Sequence, residues 1–367
     1  MGIIHHLPDH LINQIAAGEV IERPVYILKE LLDNAIDASA KSIVIKLSGF
    51  GMDAIEVIDD GIGMKRDDIE VSYLRHTTSK IYNEEDLQNI QSFGFRGEAL
   101  ASIASVCRLS IASRTPDDIA GYRIIIENGK KTDARLVPMP QGSDITVSNI
   151  FAKTPARKKF LRSEQTEYRH IVSLIGSYAL SFPAIRFQTF HNNKLTATYP
   201  AVSEFEARLE LLLPGSVLKE LIPVSEVQEY LSLSGYISKP QLTYKTTKQY
   251  FLYLNGRPIT DTTIAGAIKD AYGTLLSPTD YPQVIIHLEI PHHLVDVNVH
   301  PRKEEVKFMQ PKAVYQAVYD GIVKSLKSQN LRFYDKRWQN TEDAPALQIR
   351  DGGTRTYAAS WVLRSHA

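Results

Sequence analysis

The chain has 367 residues, enough for two domains with a sizeable core in each. It is 43% hydrophobic and 23% charged, ordinary for a soluble globular protein, and Lys+Arg and Asp+Glu both number 42, so net charge excludes no class of partner and only local clustering carries information. The single cysteine, Cys107, excludes an internal disulfide framework and a cysteine-based zinc site, and it fits a reducing compartment.

The first residues, M-G-I-I-H-H-L-P-D-H, lack a basic segment followed by an apolar core, so no signal peptide is expected. No apolar run approaches ~18 residues, so no membrane span is expected either. Pro8 to Ala17 reads as a short helix stopped by Gly18. From Arg23 to Ala38 a longer helix is expected, with Pro24 at its first position, where the missing amide hydrogen is harmless. Val25, Leu28, Leu32, Ala35 and Ile36 form one apolar face. Glu30, Asn34 and Asp37 fall at i, i+4 and i+7 on the side away from it, within an arc of roughly 60° at about 100° per residue. They offer a carboxylate able to act as general base, an amide oxygen of the kind Mg²⁺ accepts, and a second carboxylate. Alone, this line equally fits the solvated side of an amphipathic helix.

Ser42–Ser48 and Ala54–Asp59 read as paired strands, the second ending in Asp59-Asp60-Gly61-Ile62-Gly63. Asp67–Leu74 suggests a short helix. Arg75–Phe95 is polar and weakly periodic and reads as a long mobile loop with at most a short helical turn, a functional lid or a disordered segment. Gly94-Phe95-Arg96-Gly97-Glu98-Ala99-Leu100 opens another helix to about Ser105. Strands are expected at Arg108–Ser113, Tyr122–Glu127, Ala134–Val137 and Ile145–Asn149, with Asn128-Gly129 as a hairpin signal, then a helix at Thr166–Ser181 and a hairpin from Ile185 to Tyr199. The first domain is therefore α+β, an antiparallel sheet with helices on one face, over residues 1–215. Residues 216–331 alternate strands (Tyr230–Ile237, Gln249–Leu254, Gln283–Ile290) with helices (Thr262–Tyr272, Lys312–Leu326), a smaller α/β domain. Residues 332–367 read as a linker-like tail that holds both tryptophans, Trp338 and Trp361.

D-x-G-x-G at Asp59, Gly61 and Gly63 is weak evidence alone: it fits a tight turn, or a backbone that lets a flat ligand approach beside a carboxylate. G-F-R-G-E-A-L places glycines before a helix whose free amides suit a phosphate, though Glu98 could simply favour the helix dipole. No G-x-x-x-x-G-K-[ST], H-R-D or D-F-G occurs, which excludes a P-loop and a protein-kinase site. Histidine pairs such as His5-His6 and His292-His293 lack metal-ligand spacing and read as surface residues.

Taken in order, E-L-L-D-N-A-I-D-A, D-D-G-I-G and G-F-R-G-E-A-L resemble the nucleotide site shared by gyrase-type topoisomerases, heat-shock chaperone ATPases, histidine kinases and MutL mismatch-repair proteins. Further words single out the MutL family: N-Q-I-A-A-G-E-V at Asn13–Val20, R-H-T-T-S-K at Arg75–Lys80, T-P-A-R-K-K-F-L at Thr154–Leu161, N-G-R at Asn255–Arg257 and D-V-N-V-H-P at Asp296–Pro301. The resemblance implies ATP and Mg²⁺ as cofactors, an ATP-binding domain over 1–215, and a second domain of the ribosomal-protein-S5-like type carrying a switch lysine and a DNA-binding surface. It implies that Glu30 is the general base, Asn34 the Mg²⁺ ligand, Asp37 part of the nucleotide site, and Asp59 the reader of the adenine amino group. Gly63 would let the base approach, and Ser143 stands where the family more often has Thr. Thr78 and Ser79 would lie in a lid over the phosphates, Arg96, Gly97, Glu98, Ala99 and Leu100 would supply amides to them, and Lys303 would reach the γ-phosphate from the second domain. Lys153 departs from the family's usual Asn. MutL proteins usually continue through a linker into a C-terminal dimerisation region, which in many carries a metal-dependent nuclease; neither is visible in this sequence.

Basic residues cluster at Arg157, Lys158, Lys159 and Arg162, and at Lys239, Lys245, Lys248, Arg257 and Lys269. They read as solvated charge or, by the resemblance, as DNA contacts, with Lys269, Arg157, Lys159 and Arg162 foremost. The expected function is a mismatch-repair ATPase, cytoplasmic and nucleoid-associated. Its expected partners are DNA, a second copy of itself as an ATP-dependent N-terminal dimer, and a mismatch-recognition protein of the MutS type. Alternatives are a topoisomerase-type ATPase region and a DNA-binding scaffold without turnover.

Overall fold

Arg23 takes an extended conformation and Pro24 follows at the first helical position, so helix α1 (Pro24–Asp37) begins where proline is harmless. The computed structural model describes residue 6 and residues 21–152, 161–297, 299 and 305–329. The expected helix Pro8–Ala17, most of the Thr154–Leu161 word and the tail from 332 lie outside the described residues.

The chain divides into two units. The first holds residues to Leu218 together with Gly256–Pro258 and Val295–Lys307; the second holds Lys219–Asn255, Ile259–Leu294 and the residues from Phe308. In the first unit α1 is followed by β1 (Ser42–Ser48), β2 (Ala54–Asp59), α2 (Arg66–Val71), α3 (Glu84–Gln88), α4 (Ala99–Val106), β3 (Arg108–Arg114), β4 (Gly121–Glu127), β5 (Lys130–Val137), β6 (Gly142–Ser148), α5 (Glu164–Ser181), β7 (Arg186–His191), β8 (Lys194–Tyr199), α6 (Phe205–Leu212) and α7 (Gly215–Leu218). The strands form one eight-stranded sheet in the order β5-β4-β3-β6-β2-β1-β7-β8. Its pairs are antiparallel except β1 with β7, where Ser42 lies opposite Arg186 and Leu47 opposite His191.

Alternation along the strands buries one face: Ile43, Ile45 and Leu47 on β1, Ile55 and Val57 on β2, Leu109 and Ile111 on β3, Ile124 and Ile126 on β4. Ile27, Leu28, Leu31 and Leu32 of α1, Ile103 of α4 and Ile171 and Ile175 of α5 join them in one core. The domain is α+β with helices on one sheet face, as its sequence pattern indicates. The fold class holds for the chain as a whole.

In the second unit β9 (Leu221–Gln228), β10 (Leu231–Ser238), β11 (Thr243–Tyr244), β12 (Tyr250–Leu254), α8 (Thr262–Tyr272), β14 (Tyr281–Pro282), β15 (Val284–Glu289) and α9 (Pro311–Ser328) follow in order, and β13 (Arg257–Ile259) begins in the stretch assigned to the first unit. Five strands make a sheet ordered β13-β12-β15-β10-β9, and α9 packs on α8 and covers β9 and β10. Asp261 caps α8 by accepting the Ile264 amide at 2.8 Å.

Candidate functional site

The polar line of α1 is not a solvated surface. Glu30 is 6% exposed, and the Asp37 side chain 9%. Asp33 and Lys29, beside that line, are also buried and pair internally: Lys29 Nζ meets Asp33 Oδ2 at 3.1 Å, and the Tyr178 hydroxyl of α5 donates to Asp33 Oδ1 at 2.5 Å. The start of α1 is held by Arg23, whose guanidinium grips the buried Glu167 of α5 through Nε and Nη2 at 3.0 and 2.9 Å. Helix α1 is thus pinned at its base and along its side.

The Asn34–Asp37 end of the polar line is covered by the end of the long loop. Asp37 Oδ1 accepts the Phe93 amide at 2.8 Å and Oδ2 the Gly94 amide at 2.9 Å. Lys80 Nζ lies 3.0 Å from Asn34 Oδ1 and 2.5 Å from Asp37 Oδ2. Within the first unit Arg257 holds the same stretch from its carbonyl side, donating to Ser92 and Phe93 at 3.1 and 3.0 Å, with its guanidinium 4.9 Å from the centre of the Phe93 ring. Earlier in the loop, Asn83 and Asp86 close a capping box that starts α3. Thr78 and Ser79 are exposed.

At the same, C-terminal end of α1 the D-x-G-x-G turn closes up, its Ile62 amide reaching the Ala38 carbonyl at 3.0 Å. Asp59, 8% exposed at the end of β2, accepts the Gly61 amide at 2.9 Å. Burial pushes its carboxyl up from 3.8 to about 6, against the opposing effect of the Gly61 and Ser143 amides; Asp60 and Asp144 push it up further. Gly63 has φ +71°, and a Cβ there would stand 2.2 Å from the Arg114 carbonyl, so only glycine fits against β3. Ser143 sits opposite Asp59 on β6, with its hydroxyl 3.0 Å from that of Ser113.

The G-F-R-G-E-A-L stretch completes the ring. Gly97 has φ +62° and packs so tightly on the loop that a Cβ would fall 2.4 Å from the Thr77 carbonyl. Glu98 precedes α4, 3.8 Å from His76 of the loop, and Ala99 and Leu100 form the first turn of that helix. Arg96 lies over the Phe95 ring at 5.5 Å.

Residues 23–154 match the family model for the histidine kinase-, DNA gyrase B- and HSP90-like ATPase, and residues 210–327 that for the DNA mismatch repair protein, C-terminal domain. The chain is 40% identical over 316 residues to the DNA mismatch repair protein MutL of Syntrophus aciditrophicus, a match covering 86% of this chain and 51% of that protein. This chain belongs to the MutL family. It spans about half the length of the curated MutL relatives it matches. Among solved structures, the N-terminal domain of a DNA repair protein is similar, with a TM-score of 0.75 and 25% identity over 87% of this chain and 98% of that one. The Aquifex aeolicus MutL ATPase domain complexed with ADP shares the fold at a TM-score of 0.57 and 24% identity, over 82% of this chain and 98% of that one. Family membership sets aside the topoisomerase alternative.

The three words that carry the resemblance to the shared nucleotide site therefore come together around one end of α1. Asn34, Asp37, Asp59, Gly63 and Ser143 belong to that assembly, with Glu30 buried one turn before Asn34. Lys303, Arg157 and Lys159 lie outside the described residues. Arg162 is exposed, its backbone amide 3.1 Å from Glu167 Oε1. Lys269 is also exposed, at the rim of a cavity of about 190 Å³ that Tyr250, Asp270 and Leu276 also line.

Three residues were not singled out from the sequence. Ser113, 1% exposed, accepts the Met64 amide and donates to the Gly142 carbonyl, both at 2.8 Å, tying the glycine turn to the two strands behind it. Gln141 Nε2 reaches the Gly61 carbonyl at 3.0 Å. Lys80 closes the R-H-T-T-S-K word and was legible only as part of it.

Proposed function

We propose that the chain is the nucleotide-driven part of a MutL mismatch-repair protein: it binds Mg-ATP, hydrolyses it, and uses the difference between ATP and its product to switch a clamp on DNA. The observation that carries this reading is the buried Glu30 on a line whose far end, Asn34 and Asp37, is closed over by the loop end at Phe93–Gly94. A solvated helix face has no reason to be covered by backbone amides from a segment more than fifty residues away; a ligand site that opens and closes has.

Placement among the described residues supports the roles of Glu30, Asp59 and Gly63, and the family resemblance supplies the others. Glu30 is a buried carboxylate on the rigid α1, suited to take a proton from an attacking water. Asp59, backed by Ser143, accepts the amino group of adenine, and Gly63 leaves the base room. The amides at Gly97–Leu100 suit phosphate oxygens. Thr78 and Ser79 belong to the loop over them, and Lys303 completes the contact to the γ-phosphate.

The oxygens present suit Mg²⁺. Asn34 Oδ1 and Asp37 Oδ2 already hold a cation, the Lys80 ammonium, and both are hard ligands. Among the described residues no group of three or more His, Cys, Asp or Glu could hold a metal. Bound Mg²⁺ would therefore take most of its ligands from phosphate and water, with Asn34 supplying the protein oxygen. Its chemistry there is charge neutralisation on the phosphates.

Beyond the nucleotide, the proposal extends to DNA held by phosphate contacts through Lys269, Arg157, Lys159 and Arg162, to an ATP-dependent N-terminal dimer, and to a MutS-type partner, in the cytoplasm at the nucleoid. No helix among the described residues is long and apolar enough to cross a membrane. ATP hydrolysis by the purified chain, with and without DNA, tests the core of the reading. Tight nucleotide binding with turnover supports it; absence of ATP binding would overturn it, and binding without turnover would leave a scaffold.

A further inference from the structure

The Lys80 ammonium occupies the place where a cation would meet α1. It sits 3.0 Å from Asn34 Oδ1 and 2.5 Å from Asp37 Oδ2, on a side chain only 21% exposed. It packs closely against the loop end: a Cβ on Gly94 would lie 2.9 Å from Lys80 Nζ and 3.4 Å from Asn34 Oδ1. The same Asp37 carboxylate takes the Phe93 and Gly94 amides. One carboxylate thus binds the lysine at one point of the loop and two amides at another, and with Asn34 it closes the loop on itself.

Asn34 Oδ1 is the oxygen that both cations would use: the ammonium lies 3.0 Å from it, and a Mg²⁺ ion bound to it would sit at about 2.1 Å on the same side, so seating the ion pushes the ammonium off that oxygen. We propose that Lys80 is a tethered stand-in for the divalent cation, holding Asn34 and Asp37 until Mg²⁺ arriving with nucleotide displaces it from Asn34, and so makes metal entry and release of the loop a single event. This inference rests on the Mg-nucleotide reading above. It implies that the affinity for Mg²⁺ is reduced by the fraction of molecules in which the lysine is seated. It also implies that the loop end is held in place without any ligand. Lys80 is a positioning residue here, since in this arrangement it touches protein oxygens only.

The test uses Lys80→Met, which keeps the length of the stem and removes the charge, and Lys80→Gln, which keeps a donor for Asn34. Nucleotide binding is titrated first with the metal chelated, then with increasing Mg²⁺ at fixed nucleotide. Wild type that binds no nucleotide under any condition would sink the nucleotide reading itself. Given binding, both variants should reach half-saturation at a Mg²⁺ concentration several-fold lower than wild type. In nucleotide-free protein the amides of Phe93 and Gly94 should exchange hydrogen at least several-fold faster in the variants. An unchanged or higher Mg²⁺ midpoint overturns the inference, because it makes Lys80 a phosphate contact or a bystander. So does unchanged exchange at those two amides.

Discussion

The Tyr178 hydroxyl donates to Asp33 at 2.5 Å in a place where neither side chain meets solvent. Burial, and then the Asp33 charge, push the phenol well above its ordinary value, so it stays a donor. With Lys29 on the other oxygen, this contact fixes the side of α1 that adjoins Glu30 and Asn34. Tyr178→Phe keeps the ring and removes the donor, leaving a buried carboxylate short of one partner. The expected loss is about 1–3 kcal/mol of folding stability. Urea denaturation at neutral pH checks it; an unmoved midpoint would show that the contact adds nothing net.

Glu30→Ala should leave ATP binding largely intact and lower turnover by ~10²–10⁴-fold, the usual worth of a positioned base. Asn34→Ala should instead weaken Mg-ATP binding itself. Equilibrium binding and single-turnover hydrolysis on the same preparations separate the two roles. Wild-type turnover in Glu30→Ala would remove the base assignment.

Asp59 should make both stability and ligand affinity depend on pH. In the folded chain its carboxyl keeps a proton up to about pH 6, whereas its ordinary value is 3.8. Between those values the folded state binds more protons than the unfolded one, so stability falls as pH rises, and the loss is complete above about 6. A difference of roughly two units corresponds to ~3 kcal/mol. Asp59→Asn should therefore gain stability at pH 7.5 by up to that amount and gain almost nothing at pH 4. Nucleotide affinity in the wild type should move the other way, weakening as pH falls through 6, because the ionised carboxylate is the better acceptor for an amino group. Denaturation and nucleotide titrations at the two pH values check both signs; a pH-independent difference between wild type and Asp59→Asn would contradict them.

The extent to which these features can be read from the residues depends on how local their causes are. Helix α8 matches its sequence-based bounds, Thr262–Tyr272, because an aspartate cap and an apolar stripe both lie within it. Strand β9 has no counterpart in the sequence reading: Leu-Ile-Pro-Val contains a proline that argues against a strand, and Pro223 is tolerated because β9 is the edge of its sheet. Strand β5 begins at Lys130 rather than near Ala134, since this exposed edge has no apolar alternation to betray it. The parallel pairing of β1 with β7 joins segments about 140 residues apart, beyond the reach of any local pattern. The site divides the same way. Periodicity sets Glu30, Asn34 and Asp37 on one side of a helix, but it cannot distinguish a side facing water from one covered by Phe93 and Gly94. Ser113 and Gln141 enter only because β3 and the start of β6, which Gln141 precedes, meet behind the glycine turn.

DNA affinity should be low in sequence preference and should fall steeply as salt rises, since phosphate contacts release counterions. Lys269→Glu replaces an exposed cation at the end of α8 and should weaken binding to all sequences alike while flattening the salt dependence by about one unit of slope or more. Binding titrations across a salt series on two unrelated duplexes check this. No binding at low salt, or an affinity insensitive to salt, would remove the DNA reading of these basic clusters.

The last prediction concerns the switch. ATP differs from ADP at the γ-phosphate alone, so a conformational response that separates the two ligands must come from groups that touch it. The candidates are the loop between Arg75 and Phe95, the amides at Gly97–Leu100, and Lys303. The loop is held by Asp37 and Arg257 and rests on Gly97 through Thr77, so a phosphate at those amides must rearrange the loop as it binds. A non-hydrolysable ATP analogue should then bring two copies of the chain together through the N-terminal segment that includes Pro8–Ala17, whereas ADP should not. Lys303→Ala should bind ADP with nearly wild-type affinity but lose both hydrolysis and analogue-dependent dimerisation. Sedimentation with each nucleotide at saturating concentration measures the outcome. If wild type has the same mass with ADP and with the analogue, the γ-phosphate does not drive association in this chain. If Lys303→Ala dimerises as wild type does, the lysine is not part of the switch.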